Sequence, residues 1–278
     1  MGKTGFDEVK ILVGLDVSRP IHKVKKPRRL ASKTIGIPAI FIAGLMSYWL
    51  ATDVFALLDP FLYAGPSKVL PAFVRYFDKL AEGLWSSMKL LVPAYALALG
   101  LGVTLGVLIG LIKPLRDNLS PYINALSAVP VTLLTPFAIH TFATFSAASL
   151  FIIFLGAFWP ILGTTVAGVV TIDKRYLENA ATLEISGPEK MFRIILPAAA
   201  PTILAGCSIA LKFSFILLTV SEMFGATSGM GFFVQYYSDF ARFDLVLVGF
   251  IFMALVLVVI MYLFDLFKNR VLAWTLNS

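Results

Sequence analysis

The sequence contains few of the residues and motifs that enzymes and disulfide-bonded secreted proteins rely on. Its single cysteine, Cys207, lies in an apolar stretch, so an intrachain disulfide is excluded. Its two histidines, His22 and His140, are far apart in the sequence, and no cluster has the spacing of metal ligands. A glycine-rich phosphate loop followed by Lys-Ser or Lys-Thr is also missing. We therefore expect this chain to have no catalytic residues, no metal site and no ATP site of its own.

Charged residues are also scarce, and this scarcity sets the class of protein. Only 14% of the 278 residues are charged, 59% are hydrophobic, and the mean hydropathy is +0.88. These values indicate an integral membrane protein that contacts lipid. The formal net charge of +7 comes from basic residues spread over loop ends and the N-terminal arm. This distribution suits membrane topology, and we expect no nucleic-acid partner.

Apolar runs of about the length needed to cross a bilayer predict six membrane spans in an all-α protein. The predicted spans are residues 34–51, 86–112, 121–140, 147–170, 198–220 and 244–267. Residues 1–33 are predicted to be a basic cytoplasmic arm, and residues 34–278 the transmembrane domain. The third span contains Pro130 and Pro136 and is expected to be bent.

Shorter features of the sequence lead to three further predictions. Residues 59–85 alternate apolar and charged positions at helical spacing, which predicts a helix on the outer membrane surface. The small residues Gly100, Gly102, Gly106 and Gly110 are expected to let another helix approach the second span closely. After that span, residues 113–117 are predicted to form a short loop.

The distribution of Lys and Arg predicts the orientation of the chain. With six spans and a cytoplasmic N-terminus, seventeen basic residues fall on the cytoplasmic side and four on the outer side. This bias places both termini in the cytoplasm and predicts a multi-pass protein of a bacterial cytoplasmic (inner) membrane.

The longest polar stretch between apolar segments, residues 173–201, is predicted to be a cytoplasmic helix-turn-helix. Its first helix is expected over roughly residues 174–185, with Asp173 as the N-cap. A second helix is expected after Gly187, with Pro188 in its first turn, where a missing N–H is harmless. It is expected to end near Pro197.

Two motifs in this stretch resemble the signature of a known family, the membrane subunits of binding-protein-dependent ABC importers. The motifs are Glu178-Asn179-Ala180 and Ile194-Ile195-Leu196-Pro197. The family signature reads Glu-Ala-Ala, then Gly, then Ile-x-Leu-Pro. Here Asn179 replaces the first Ala, Glu184 occupies the position of the Gly, and Gly187 follows three residues later. We therefore expect the helix-turn-helix to break later than in the family.

Further stretches extend the resemblance over most of the chain. They are residues 65–70, 158–162 and 221–231, and the last looks like the nitrate, sulfonate, taurine and bicarbonate branch of the family. The resemblance implies a type I ABC importer permease (MetI-like) fold. It also implies a second permease subunit, expected to be another copy of this chain, with an unequal partner as the alternative. The other implied partners are two ATPase subunits, which bind ATP and Mg²⁺, and a solute-binding protein that delivers a small anion. Relatives that move heterocyclic vitamin precursors leave the solute open.

In this family, residues of the helix-turn-helix transmit ATPase closure to the spans. The resemblance assigns this coupling role to Glu178, Asn179, Ala180, Ala181, Glu184, Gly187 and Pro197. Ala180 and Ala181 are expected to form a close-packed face against the ATPase, with Glu178 at its edge. The alternative is an ordinary amphipathic loop.

The fifth predicted span carries polar residues at helical spacing, at positions 208, 212, 219 and 222, with Phe215 between them. We expect Ser208, Lys212, Thr219 and Glu222 to share one face along the translocation path. Glu222 is expected to be a helix or gate residue at the outer end of the span rather than a proton carrier. His140, near the end of the third span, is a further candidate for the path. A charge within a span points to a water-filled cavity or a partner, so Lys212 is expected to attract an anion. The alternative is that Lys212 snorkels or pairs for purely structural reasons.

Two other classes of function fit parts of the sequence. One is a secondary transporter or channel that works without an ATPase, with Lys212 and Glu222 as its ion-sensitive pair. No inverted repeat supports this reading, and it gives residues 173–201 no purpose. The other is a membrane scaffold that docks a cytoplasmic partner without transport.

Overall fold

The computed structural model describes residues 33–273, with side chains from Ala39 onward. The predicted basic arm, residues 1–33, lies outside the described residues apart from Lys33. The chain divides after Tyr48 into two compact units. The described part of the first unit is an apolar helix, and the second unit contains the other helices.

The described residues form helices connected by turns and loops, and we number the α-helices in chain order. Their bounds are α1 Lys33–Trp49, α2 Pro66–Arg75, α3 Phe77–Leu111, α4 Lys113–Ser127, α5 Thr135–Thr141, α6 Phe145–Val170, α7 Lys174–Thr182, α8 Gly187–Lys190, α9 Leu196–Gly225, α10 Met230–Asp239 and α11 Phe243–Val271. Three short segments continue or connect them: π-helical turns Leu50–Val54 and Met191–Ile195, and a 3₁₀ turn Val131–Leu134.

Helix α6 lies at the centre of the second unit and packs against α3 and α9. Gly102, Gly106 and Gly110 of α3 lie against Ile161, Thr165 and Val169 of α6, where an added Cβ would lie 2.8, 2.6 and 2.8 Å from their side chains. The predicted close approach is therefore confirmed at these three positions. Gly100 has open space around it, so it does not share this role.

These contacts also fix the relative directions of the three helices. The α3 and α6 positions in contact increase together along the chain, so α3 and α6 run parallel. Gly156 of α6 meets Leu217 of α9 while Thr164 meets Gly206, so α6 and α9 run antiparallel. Because α3 and α6 are parallel, the intervening residues must return the chain across the bundle.

Helices α4 and α5 make this return as a broken pair, bent by 74°. The predicted bend of the third span is thus confirmed, and Pro130 lies in the break as the N-cap residue of the 3₁₀ turn. The predicted loop at residues 113–117 is wrong, because α4 begins at Lys113 with Pro114 in its first turn. Pro is accommodated there since the first N–H groups of a helix have no intrahelical partner.

Among residues 33–273, four helices are long and apolar enough to cross a membrane, or five when the bent pair counts as one span. The four are α3, α6, α11 and the continuous helix Gly187–Gly225. The first predicted span, residues 34–51, corresponds to α1 and its π-helical turn, whose apolar part, Ala39–Val54, is shorter than these helices. Large apolar side chains are exposed along α11, among them Leu255, Val258 and Leu263. Lipid is an apolar solvent in which such a surface is stable.

The amphipathic segment before α3 is shorter than the sequence predicted. Helix α2 covers only ten residues, and α3 begins at Phe77 rather than at residue 86. The α2 N-terminus is capped by Asp53, whose Oδ2 accepts a hydrogen bond from the Ser67 N–H at 3.1 Å while Oδ1 accepts one from Ser67 Oγ at 2.8 Å. A Cβ at Gly65 would overlap the Asp53 carboxylate, so glycine is needed there.

Candidate functional site

The first helix of the polar segment, α7, begins as the sequence predicted. Asp173 is its N-cap, and Oδ1 accepts a hydrogen bond from the backbone N–H of Arg175 at 3.0 Å. The Arg175 guanidinium lies 3.2 Å from the other carboxylate oxygen. The backbone hydrogen bond, followed by the charge of Arg175, lowers the pKa of Asp173 below its ordinary value.

Helix α7 ends in a Schellman motif centred on Glu184. The Ile185 N–H donates to the Ala180 carbonyl at 2.9 Å, and the Glu184 N–H donates to the Ala181 carbonyl at 3.1 Å. Glu184 itself is left-handed, with φ of +55°, in the position where such motifs usually place glycine. The prediction that the segment breaks later than in the family is wrong. The chain turns at the position of the family's Gly although it carries Glu184 there.

The second helix of the segment does not end near Pro197, contrary to the prediction. Pro188 does lie in the first turn of α8, as predicted. Helix α8 then continues through the π-helical turn Met191–Ile195 into α9, which gives one 39-residue helix, Gly187–Gly225. Pro197 is tolerated because it follows the π-helical turn and lies in the first turn of α9. The segment is therefore part of the same helix as the fifth predicted span.

The side chains of α7 divide between the interior and the surface. Ala180 is fully buried, whereas Glu178, Asn179 and Ala181 are exposed. The two alanines therefore do not form one outward face, because Ala180 faces this chain's own interior. Beside α7 lies a cavity of about 320 Å³ open to the surface. Its lining residues are Tyr176, Asn179, Ala180, Leu183, Arg193, Ile194, Pro197 and Ala198.

The predicted polar face of α9 is only partly open. Lys212 is exposed and Ser208 and Thr219 are half-buried, but Phe215 and Glu222 are buried in the unit. Phe215 and Glu222 pack against neighbouring helices, so they do not share the exposed face of Lys212. The assignment of Ser208, Lys212, Thr219, Glu222 and His140 to a translocation path stays a prediction. His140 is exposed on α5, and its Nδ1 lies 2.7 Å from the Pro136 carbonyl of the same helix.

Glu222 connects helix α9 to two other parts of the chain. Glu222 is only 1% exposed. Its Oε1 accepts a hydrogen bond from Ser87 Oγ of α3 at 2.6 Å, and its Oε2 accepts one from the Gly231 N–H of α10 at 2.8 Å. Ser87 Oγ in turn accepts a hydrogen bond from the Met230 N–H at 2.9 Å. We call Glu222, Ser87, Met230 and Gly231 the Glu222 cluster.

Glycines beside the Glu222 cluster make room for the carboxylate. Gly229 has φ of +137°, and a Cβ there would overlap the Glu222 carboxylate. A Cβ at Gly231 would lie 2.5 Å from the Thr219 carbonyl oxygen. Glycine is therefore needed at both positions for the loop to close over Glu222.

Sequence reasoning found Glu222 but missed Ser87, its closest partner. Ser87 lies 135 positions earlier, on α3, and no local sequence signal relates it to Glu222. Asp53, which caps α2, was also missed as a site residue. Among residues 39–273, no group of three or more His, Cys, Asp or Glu side chains is placed to hold a metal ion.

Comparison with known proteins identifies relatives over most of the chain. The family model of the binding-protein-dependent transport system inner membrane component matches residues 102–274. A Bacillus subtilis protein named as an aliphatic sulfonates transport permease, SsuC, is 28% identical over 90% of this chain and 91% of its own. The taurine transport system permease TauC of Escherichia coli is 28% identical over 75% and 78%. The nitrate import permease NrtB of a Synechocystis strain is 26% identical over 78% and 82%.

Solved structures show the same fold. An inward-facing structure of the MetNI methionine ABC transporter matches with a TM-score of 0.60 at 17% identity, covering 71% of this chain and 98% of that chain. An amino acid ABC transporter with histidines matches with a TM-score of 0.53 at 22% identity, covering 72% and 97%. The type I importer permease fold predicted from the sequence is thereby confirmed. The family match covers more than half of the chain, and this multi-pass membrane protein belongs to the binding-protein-dependent transport system inner membrane components.

Proposed function

We propose that this chain forms the membrane path of an ATP-driven importer for a small anion of the sulfonate, taurine or nitrate type. The solute class is supported by relatives whose names state transport of sulfonates, taurine and nitrate. The observation that carries the mechanism is the continuity of the helix Gly187–Gly225, which joins the polar segment directly to a membrane-spanning helix. A force on the polar segment therefore acts directly on that span.

The polar segment, residues 173–197, is the proposed docking site for an ATPase subunit. It exposes large apolar side chains although it is one of the most polar parts of the chain: Leu183 and Phe192 are each 70% exposed, and Tyr176 is 50% exposed. Exposed apolar groups with a polar rim mark protein contact sites. The exposed residues Glu178, Asn179 and Glu184 supply the polar edge, and Ala181 is exposed beside them. The partner ATPase subunits would bind ATP and Mg²⁺, one beneath each of two permease copies.

The orientation proposed for this complex follows from the bias of Lys and Arg. The segment 173–197 and both termini would lie in the cytoplasm of a bacterium, and the solute-binding protein would dock at the opposite end of the bundle. Cysteine-labelling or protease mapping tests this orientation directly. Reaction of residues 173–197 from the outer side would contradict the proposal.

Lys212 is the proposed contact for the anionic solute. It is exposed on α9 among the exposed apolar side chains Ile209, Phe213 and Ile216. A charge on such a surface is stable in a membrane only beside water or a partner, and a path between two permease copies provides water. A translocation path lined by Lys212 would attract anions. Ser208 and Thr219 lie on the same helix, half-buried beside it.

The test of the whole proposal is solute-dependent uptake by a reconstituted complex. The chain is copurified with its ATPase subunits, reconstituted into proteoliposomes, and supplied with ATP and the solute-binding protein. We expect uptake of a labelled sulfonate or nitrate that requires both. Mass spectrometry of the ligand carried by the binding protein identifies the solute. Uptake that proceeds without ATP and without the ATPase subunits would refute the proposal.

The same assay tests Lys212. We expect Lys212→Met to lower the initial uptake rate about tenfold, because the path loses its attraction for the anion. Lys89→Met is the matched control, since Lys89 is also an exposed lysine within a membrane-spanning helix, and its Nζ lies 5.4 Å from the centre of the Trp85 ring. An uptake rate and anion selectivity unchanged by Lys212→Met would remove Lys212 from the mechanism.

A further inference from the structure

The Glu222 cluster is a buried polar connection between α3, α9 and α10. Glu222 is closed off from the exposed face of α9, and its two carboxylate oxygens bind a hydroxyl on α3 and a backbone N–H on α10. Burying a carboxylate is costly unless hydrogen bonds compensate for the lost hydration. The three elements are therefore held in one arrangement that satisfies Glu222, and a shift of any one of them leaves a buried acceptor unpaired.

The cluster lies at one end of the continuous helix, and the polar segment lies at the other. Glu222 is three residues from the C-terminal end of the helix Gly187–Gly225, whose 39 residues correspond to roughly 58 Å along the helix axis. At the first end, buried Ile195 packs in the same apolar cluster as Leu177 of α7. Each end of this helix is thus fixed to other elements, by apolar packing at one end and by hydrogen bonds at the other.

A groove lies on the surface next to the cluster. Residues 227–229 and α10 form one side of a groove of about 350 Å³, and the first turns of α3 form the other. Four aromatic residues of α10 line it, together with Lys79 and Glu82 of α3. The groove residue Gly229 lies against the Glu222 carboxylate. A protein seated in the groove would therefore press on residues that touch the Glu222 cluster.

We propose that Glu222 is a positioning residue that transmits docking of the solute-binding protein at residues 227–239 along the continuous helix to the ATPase-docking segment. This inference rests on the proposed function. Docking displaces residues 227–229 or α10. The hydrogen bonds of Glu222 transmit this displacement to α9, and the continuous helix transmits it to residues 187–195. Ser87 fixes the carboxylate so that α9 and α10 move together.

The experiment measures ATPase activity of the purified complex in lipid nanodiscs, with and without saturating solute-loaded binding protein. The readout is the ratio of stimulated to basal rate. We expect Ser87→Ala and Glu222→Gln to lower this ratio about fivefold or more, the lower bound for coupled sites. Ser221→Ala is the matched control and should keep the wild-type ratio. Ser221 is the buried residue before Glu222, and its Oγ donates a hydrogen bond to the Leu218 carbonyl of the same helix at 2.9 Å.

The outcomes separate coupling from folding and from the proposed function. If the basal and stimulated rates both fall but their ratio is unchanged, the role of the cluster is purely structural and the inference is overturned. Wild-type ratios in both variants would also overturn it. If the Glu222→Gln complex does not assemble, Glu222→Asp is used instead. The aspartate side chain is one methylene shorter, so its carboxylate cannot reach both Ser87 and Gly231. A wild-type ratio in this variant would again overturn the inference. Ser87→Thr retains the hydroxyl and should restore the ratio. Failure of the proposed function appears separately, as a wild-type complex that the binding protein does not stimulate.

Discussion

Replacing Glu184 by glycine should stabilise the turn of the ATPase-docking segment. Glu184 is left-handed, with φ of +55°, and this conformation costs a residue with a Cβ about 1–2 kcal/mol. Glycine removes that cost. The unfolded chain gains conformational freedom at glycine, however, and this lowers the stabilisation by about 0.4–1 kcal/mol. The expected net gain is about 0.5–1 kcal/mol, the difference between these two terms.

Hydrogen–deuterium exchange of the chain in nanodiscs measures this gain locally. The amides of Glu184 and Ile185 donate the two Schellman hydrogen bonds, so their exchange reports opening of the turn. A gain of about 0.5–1 kcal/mol slows local opening roughly two- to fivefold. Glu184→Ala is the control: it removes the carboxylate but keeps a Cβ at the left-handed position, so it should leave exchange nearly unchanged.

Two results would refute this reasoning. Equal slowing in the Ala and Gly variants would show that the carboxylate, rather than backbone strain, sets the stability of the turn. Unchanged exchange in Glu184→Gly would show that no strain is stored there. Gly187→Ala tests the same principle in reverse. Gly187 has φ of +59° and open space around it, so only conformational strain is added, and exchange in α8 should become faster.

Two further predictions concern helix ends and helix packing. Because hydrogen bonding lowers the pKa of Asp173 in the folded state, its capping stabilises α7 fully above the ordinary Asp pKa of about 3.9 and is lost as the pH falls through the lowered folded pKa. The protection of the Arg175 amide, measured relative to the intrinsic exchange rate at each pH, should fall across this window. A protection that does not change with pH, or the same fall in Asp173→Asn, would contradict the prediction. Gly106→Val should destabilise the packing of α3 on α6 by roughly 1–3 kcal/mol, because a Cβ there would lie 2.6 Å from the Thr165 side chain. The thermal unfolding temperature in detergent should therefore fall in this variant. In the control Gly100→Val it should stay nearly unchanged, because Gly100 has open space around it.

Local sequence rules succeeded where the determining contacts lie within a few residues. Asp173 caps α7 through the N–H two residues later, and Pro188 occupies the first turn of α8. The same rules failed at the ends of the segment. The sequence placed the break at Gly187, but hydrogen bonds to the Ala180 and Ala181 carbonyls place it at Glu184. Pro197 also failed as a helix end, because a π-helical turn before it preserves the continuity of the helix.

The sequence by itself determined that this is a helical membrane protein, since apolar runs of that length are stable only in a bilayer or a protein core. Its motifs also determined the family. Only the tertiary structure decided which side chains meet across the bundle. Helical spacing places Lys212, Phe215 and Glu222 on one side of α9, but packing leaves Lys212 exposed and encloses the other two. Ser87 and Glu222 lie 135 residues apart, so no local sequence pattern predicts their contact. They meet because α3 packs parallel to α6 and α9 packs antiparallel to α6.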